Sequence, residues 1–185
     1  MGNFAERRRL QGMEAIFDLM KKGVPNAQLT GEIDAAHNRE AEARARGAES
    51  EQTAKARLKA LGYVESVSII SGNDKADRRR KDLVVTFDEV SLNASLHDIW
   101  VPAELSVFAQ IKSSHYGVES FYHELQRRQK CNREAAMYIV HNQRLVVLDA
   151  SMGEGDFYKD FENQLRCIND FWRTKDIPIS RRFRK

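Results

Sequence analysis

The sequence predicts an α/β fold in which a mixed central sheet is flanked by helices. Short β-branched and aromatic runs, at Tyr63–Ile70, Asp82–Phe87, Glu104–Lys112, Ala135–Val140 and Leu145–Ala150, have strand length and composition. Longer segments between and around them carry apolar residues at helical spacing. The resulting order, helix, three strands, helix, two strands, helix, is that of a sheet with helices on its faces.

Residues 1–22 place Leu10, Met13, Ile16, Phe17 and Met20 at helical spacing, and Gly23 with Val24-Pro25 ends that segment. A second helix, rich in Ala, Glu and Arg, begins near Glu32 and runs through Ala54, Leu58 and Leu61 to Gly62, with a break expected at Gly47. After the strand at 63–70, Ser71-Gly72-Asn73-Asp74 is turn chemistry. A polar connection follows from Asp88 to Pro102, with extra structure expected around Trp100. Residues 118–132 form a helix on Val118, Phe121, Tyr122, Leu125 and Gln129, and the strands 135–140 and 145–150 join through His141-Asn142-Gln143. Glu154–Trp172 forms the last helix, with Phe157, Phe161, Leu165, Ile168 and Phe171-Trp172 on its apolar side. We divide the chain into an N-terminal helical extension (1–34), a core (35–150) and a C-terminal helix with a basic tail (151–185), one domain altogether.

The 185 residues suffice for one sizeable core, and 42% apolar with 31% charged residues excludes wholesale disorder. The longest apolar stretches fall far short of the roughly 18 residues a membrane span needs. Met1–Leu10 carries Arg7, Arg8 and Arg9 but leads to no apolar leader, so the chain is read as cytoplasmic. Cys131 and Cys167 lack the spacing of a zinc site or a disulfide framework and read as reduced thiols. Net charge is only +3, but basic residues cluster at Arg7–Arg9, Arg78-Arg79-Arg80-Lys81, Arg127-Arg128 with Lys130, and Arg181–Lys185, a phosphate-compatible distribution.

The chemistry sits on two strands. Alternation puts Leu105, Val107, Ala109 and Ile111 on one face and Ser106, Phe108, Gln110 and Lys112 on the other. Asp82 opens the preceding strand on the face of Val84 and Thr86, where it can meet Gln110 and Lys112 across a strand pair. Hydrolysis of a phosphodiester needs a divalent cation on the phosphoryl oxygen and cationic groups for the developing charge. Asp82, the Gln110 side-chain carbonyl and the Ile111 backbone carbonyl supply oxygen ligands, and Lys112 supplies the cation. Glu51 lies three, seven and ten residues before Ala54, Leu58 and Leu61, so a carboxylate sits on the inward helix face and requires a partner. A metal site is one such partner; a salt bridge or a helix-start position at Ser50 is another. Ser113-Ser114-His115 lacks a placed third group for nucleophilic catalysis and reads as loop chemistry near phosphate. Tyr122 with Arg127 and Arg128 is a candidate groove for DNA, against the alternative of a core stripe.

The string Glu51-x-x-Ala54 to Leu58-x-x-Leu61-Gly62-Tyr63, then Lys81-Asp82-Leu83-Val84-Val85, then Phe108-Ala109-Gln110-Ile111-Lys112-Ser113-Ser114, resembles the PD-(D/E)xK nuclease superfamily. It is similar to the branch in which Q-x-K replaces E-x-K, as in Mrr-type restriction enzymes and Holliday-junction resolvases, over roughly residues 48–150. The resemblance implies a restriction-endonuclease-like αβββαβ core cutting double-stranded or branched DNA with Mg²⁺ or Mn²⁺. It implies Glu51, Asp82, Gln110 and Lys112 as catalytic residues, with Asp82, Gln110, Ile111 and Glu51 around the metal. Arg78, Arg79, Arg80, Lys81, Ser113, Ser114, Arg127 and Arg128 are the expected DNA contacts. Lys81 stands where the family often has Pro, and Gln110 replaces its second acid, donating less charge to a cation. Cutting two strands points to a homodimer. The alternatives are an inactive DNA-binding or scaffold subunit of a larger complex, with a protein partner, and a nuclease acting on RNA.

Overall fold

Ala, Glu and Arg dominate the stretch that becomes helix α1, Asn26–Lys59, in a computed structural model describing residues 21–22, 26–70, 81–96, 99 and 106–174. The expected helix at 1–22 lies almost wholly outside the described residues. The chain divides into two compact units, residues 1–46 and 47–185. Within the first, α1 is solvent-exposed and laced by Glu40–Arg44 and Glu42–Arg46 pairs at 2.6 and 4.0 Å. Exposed i,i+4 pairs of this kind contribute about 0.2–0.5 kcal/mol each to a helix. The break expected at Gly47 is absent and the helix starts before Glu32: a run rich in Ala, Glu and Arg outweighs one glycine, which costs a helix only about 1 kcal/mol.

In the second unit the last turns of α1 bury Ala54 and Leu58, and the chain turns at Gly62 into strand β1, Val64–Ile69. Strand β2, Leu83–Phe87, precedes a short helix α2, Glu89–Ser95, whose first turn is capped by Asp88 accepting from the Ser91 amide at 2.8 Å. This helix occupies part of the expected polar connection; Trp100 lies outside the described residues. Strand β3, Ser106–Lys112, leads through Ser113-Ser114 into helix α3, His115–Gln129, which ends at Lys130 in the left-handed conformation (φ 49°). Helix α4, Arg133–Asn142, strand β4, Leu145–Asp149, and helix α5, Glu154–Thr174, complete the described chain.

Ala135–Val140 is therefore helix, not strand. Asn132 caps it by accepting from the Ala135 amide at 2.9 Å, Glu134 sits in the first turn, and Ala136 and Val140 are buried one turn apart. Helical spacing at i and i+4 prevails over the β-branched pair Ile139-Val140, and His141, expected in a strand turn, belongs to the last turn of this helix.

The four strands form one sheet in the order β1-β2-β3-β4. β1 and β2 pair antiparallel, as do β2 and β3; β3 and β4 pair parallel. Helices cover both faces. Leu83, Val85, Val107, Ala109, Val146 and Leu148 meet Ala54 and Leu58 of α1 and Phe157, Phe161, Leu165 and Ile168 of α5. On the other face Leu145 and Val147 meet Phe121 and Tyr122 of α3 and Ala136 and Val140 of α4. Every residue of β4 is buried, as in a strand covered on both sides. Gln164 of α5 closes its outer edge, accepting from the Val147 amide at 2.8 Å and donating to the Val147 carbonyl at 2.9 Å. Cys131 and Cys167 are both free, and no described helix is long and apolar enough to cross a membrane.

Candidate active site

Antiparallel pairing sets Leu83 against Ala109, and the next step of that register sets Asp82 against Gln110. The Asp82 amide donates to the Ala109 carbonyl at 2.8 Å, which fixes the backbone at the mouth of β2. Gln110 Nε2 donates to Asp82 Oδ2 at 2.5 Å, and the Ile111 amide donates to the same oxygen at 2.6 Å. Hydrogen bonds to a carboxylate are stronger than those between neutral groups, so two donors hold this side chain in one orientation. The Ile111 group that meets Asp82 is its amide.

Gln110 is 5% exposed, and its Oε1 is buried without a hydrogen-bond partner. An unsatisfied buried carbonyl oxygen costs about 1–3 kcal/mol. A carboxylate beside an amide oxygen that lacks a donor is an oxygen-only set, which fits a hard divalent cation such as Mg²⁺ or Mn²⁺. The set is lean: among the described residues no group of three or more His, Cys, Asp or Glu is placed to hold a metal ion.

Lys112 ends β3 on the face of Gln110, half-buried, with its ammonium 5.6 Å from the centre of the Phe121 ring. Its stem runs under the start of α3, where a Cβ on Gly117 would come within 3.2 Å of Lys112 Cβ. A glycine there lets the helix lie close against the lysine. Ser114 caps that helix, its hydroxyl accepting from the Gly117 amide at 3.2 Å, while Ser113 and His115 are exposed.

One acidic neighbour was not singled out from sequence. Asp149 ends β4 as the register partner of Lys112 and is only 3% exposed. Its Oδ1 accepts from the Ser151 amide at 2.8 Å and the Ser151 hydroxyl at 2.6 Å. Arg57 of α1 steadies the following turn by donating to the carbonyls of Ala150 and Met152 at 3.2 and 2.9 Å. The signal available in sequence was a carboxylate closing the apolar run Leu145–Leu148. Ligands of open α/β sheets gather beyond the carboxyl ends of parallel strands, where Lys112 and Asp149 sit.

Glu51 is half-buried on α1, one turn before Ala54, and borders the side of the helix that packs inward. Lys81 is buried, its ammonium 3.2 Å from the centre of the Phe108 ring. Arg127 and Arg128 are exposed on the last turn of α3, with Arg128 paired to Glu124 at 2.6 Å. Arg78, Arg79 and Arg80 lie outside the described residues. Tyr122 is core: burial pushes its phenol up to about 12, and the guanidinium of Arg133 lies 3.9 Å over its ring. Arg133 is in turn held by both oxygens of Glu119, at 3.0 and 2.9 Å.

Asp160 on α5 has its carboxyl raised above the usual 3.8, first by burial and then by the charge of Asp149, with the hydrogen bond from Gln164 opposing. A carboxyl raised on folding stabilises fully below its unfolded value, and that stabilisation is lost as pH rises through the folded one. Asp160→Asn, which still accepts from Gln164, therefore raises the melting temperature at pH 7 and leaves it unchanged near pH 3. A melting series across that range checks the sign.

Comparisons of the chain with protein-family models, with curated proteins and with solved structures find no match.

Proposed function

We propose that this chain is a metal-dependent endonuclease that hydrolyses phosphodiester bonds of double-stranded or branched DNA. The observation that carries the reading is the pairing of Asp82 with Gln110 across adjacent strands, with Lys112 two residues further on and a buried Gln110 oxygen that has no donor. Asp82 and Gln110 would hold Mg²⁺ or Mn²⁺, with Glu51 contributing from α1. A cation there supplies Lewis acidity toward a phosphoryl oxygen and lowers the pKa of an attacking water. Lys112 places a positive charge where the phosphate gains negative charge, a contribution that grows as water is excluded. Asp149, held by Ser151, places a carboxylate at the strand end paired with Lys112. The paired ends of β3 and β4 hold these groups on rigid elements, and exposed Arg127 supplies backbone contact. A homodimer would bring two such sites to the two strands.

The test is cleavage of supercoiled plasmid and of a four-way junction by the wild-type chain with Mg²⁺, with Mn²⁺ and with chelator. Cleavage that chelator abolishes is the expected result. A second reading, a DNA-binding or scaffold subunit without turnover, draws on the amide of Gln110 already donating to the carboxylate oxygen a cation would take. Salt-sensitive DNA binding with no cleavage in any metal favours that reading and overturns the first. Preferential cutting of single-stranded RNA would transfer the same chemistry to another substrate.

A further inference from the structure

A cavity of about 250 Å³ opens beside the carboxyl end of β4, between α3, α4 and α5. Each helix turns one stripe toward it: Val118 and Tyr122 on α3, Met137 and His141 on α4, Asp160 and Gln164 on α5. Its lining also includes Asp149, the register partner of Lys112. The cavity therefore begins one strand away from the lysine assigned to the phosphate, and adjacent strands are about 5 Å apart.

The lining restricts what the cavity accepts. The hydrogen bonds from Ser151 to Asp149 both fall on Oδ1, which leaves Oδ2 as the carboxylate oxygen this residue can offer to the cavity it lines. Asp160 adds a second carboxylate and Gln164 has its amide committed to Val147 and Asp160. Arg133 is engaged by Glu119, so the two carboxylates disfavour an anion. Among the described residues no three His, Cys, Asp or Glu are placed for a metal ion. Burial holds His141 below its ordinary value, against carrying a charge into the cavity. What remains is a ligand with flat apolar faces and several N–H donors on one edge.

We propose that this cavity receives an unstacked nucleobase bearing an exocyclic amine, from the nucleotide whose phosphate lies at Lys112. Asp149 Oδ2 and Asp160 accept from the amine, as carboxylates accept from the N4 group of cytosine, and Val118 and Met137 cover the ring. The base must leave the duplex to enter, so bulged, branched or single-stranded nucleotides are favoured over paired ones. The inference rests on the nuclease reading for its phosphate but specifies a substrate preference that the reading lacks.

The experiment has two arms, both in chelator so that nothing is cut. In the first, deoxycytidine and thymidine are titrated against the wild-type chain while the Met137 methyl and His141 ring signals are followed by NMR. In the second, a bulged duplex with 2-aminopurine at the bulge is titrated and its fluorescence read against total binding by anisotropy. Deoxycytidine binding at least ~10-fold tighter than thymidine, with a fluorescence change on DNA binding, is expected. Asp160→Asn and, independently, Met137→Trp should each reduce both signals while anisotropy still reports DNA binding; using two variants guards against one that misfolds. DNA binding with no fluorescence change and no nucleoside discrimination overturns the inference and leaves the nuclease reading standing. Absence of DNA binding overturns both.

Discussion

Replacing Asp82 with Ala is expected to abolish metal-dependent DNA cleavage and to lower the unfolding free energy by about 2–6 kcal/mol. The two effects have separate causes. Catalytically, Asp82 is the carboxylate of the proposed cation site, and without it Gln110 alone offers only a neutral oxygen. Structurally, the Ile111 amide and Gln110 Nε2 both lose their acceptor, and a buried donor left unpaired costs about 1–3 kcal/mol each. Asp82→Asn separates the two: one amide oxygen still accepts, so urea unfolding should recover much of the lost stability while cleavage stays absent. Equal recovery of both would mean that Asp82 acts through structure alone.

Phe161→Ala is expected to destabilise the second unit by about 3–5 kcal/mol, the usual range for emptying a buried phenylalanine site. Phe161 is fully buried on α5 and its ring lies 6.3 Å from that of Phe87, at the centre of the layer joining α1, the sheet and α5. Its neighbours Phe157 and Leu165 are held by the same helix and β-sheet, so the space cannot collapse cheaply. Denaturant unfolding checks the magnitude. A loss under about 1 kcal/mol would mean that the two sides of the core close over the gap, contrary to the close packing expected of protein interiors.

The strands were legible where alternation was clean. Gln110 and Lys112 share a face because the side chains of β3 alternate with period two, and Asp82 meets Gln110 because β2 reverses against β3 with Leu83 opposite Ala109. The same local rule failed at Ala135–Val140, a six-residue apolar run that fits a strand or a buried helix until Asn132 and the Ala136–Val140 spacing are weighed. Asp149 was hidden for a different reason. Its neighbour Lys112 is 37 positions earlier in sequence, and parallel pairing between β3 and β4 is a tertiary event that neither strand announces. Lys81 illustrates the limit of charge patterns: a basic run suggested a phosphate contact, whereas its aliphatic stem and ammonium lie buried against Phe108. For Glu51, helical spacing gave the inward side of α1 but not the partner.

The most direct test of the central claim is the initial rate of Mn²⁺-dependent plasmid cleavage by Lys112→Met beside wild type, with DNA affinity and unfolding measured on the same preparations. Methionine keeps the stem that packs under Gly117 and removes only the charge. The account predicts a fall of about 100-fold or more in rate, the scale of losing one charge-stabilising group, with fold and DNA affinity nearly intact. Wild-type cleavage by Lys112→Met would contradict it.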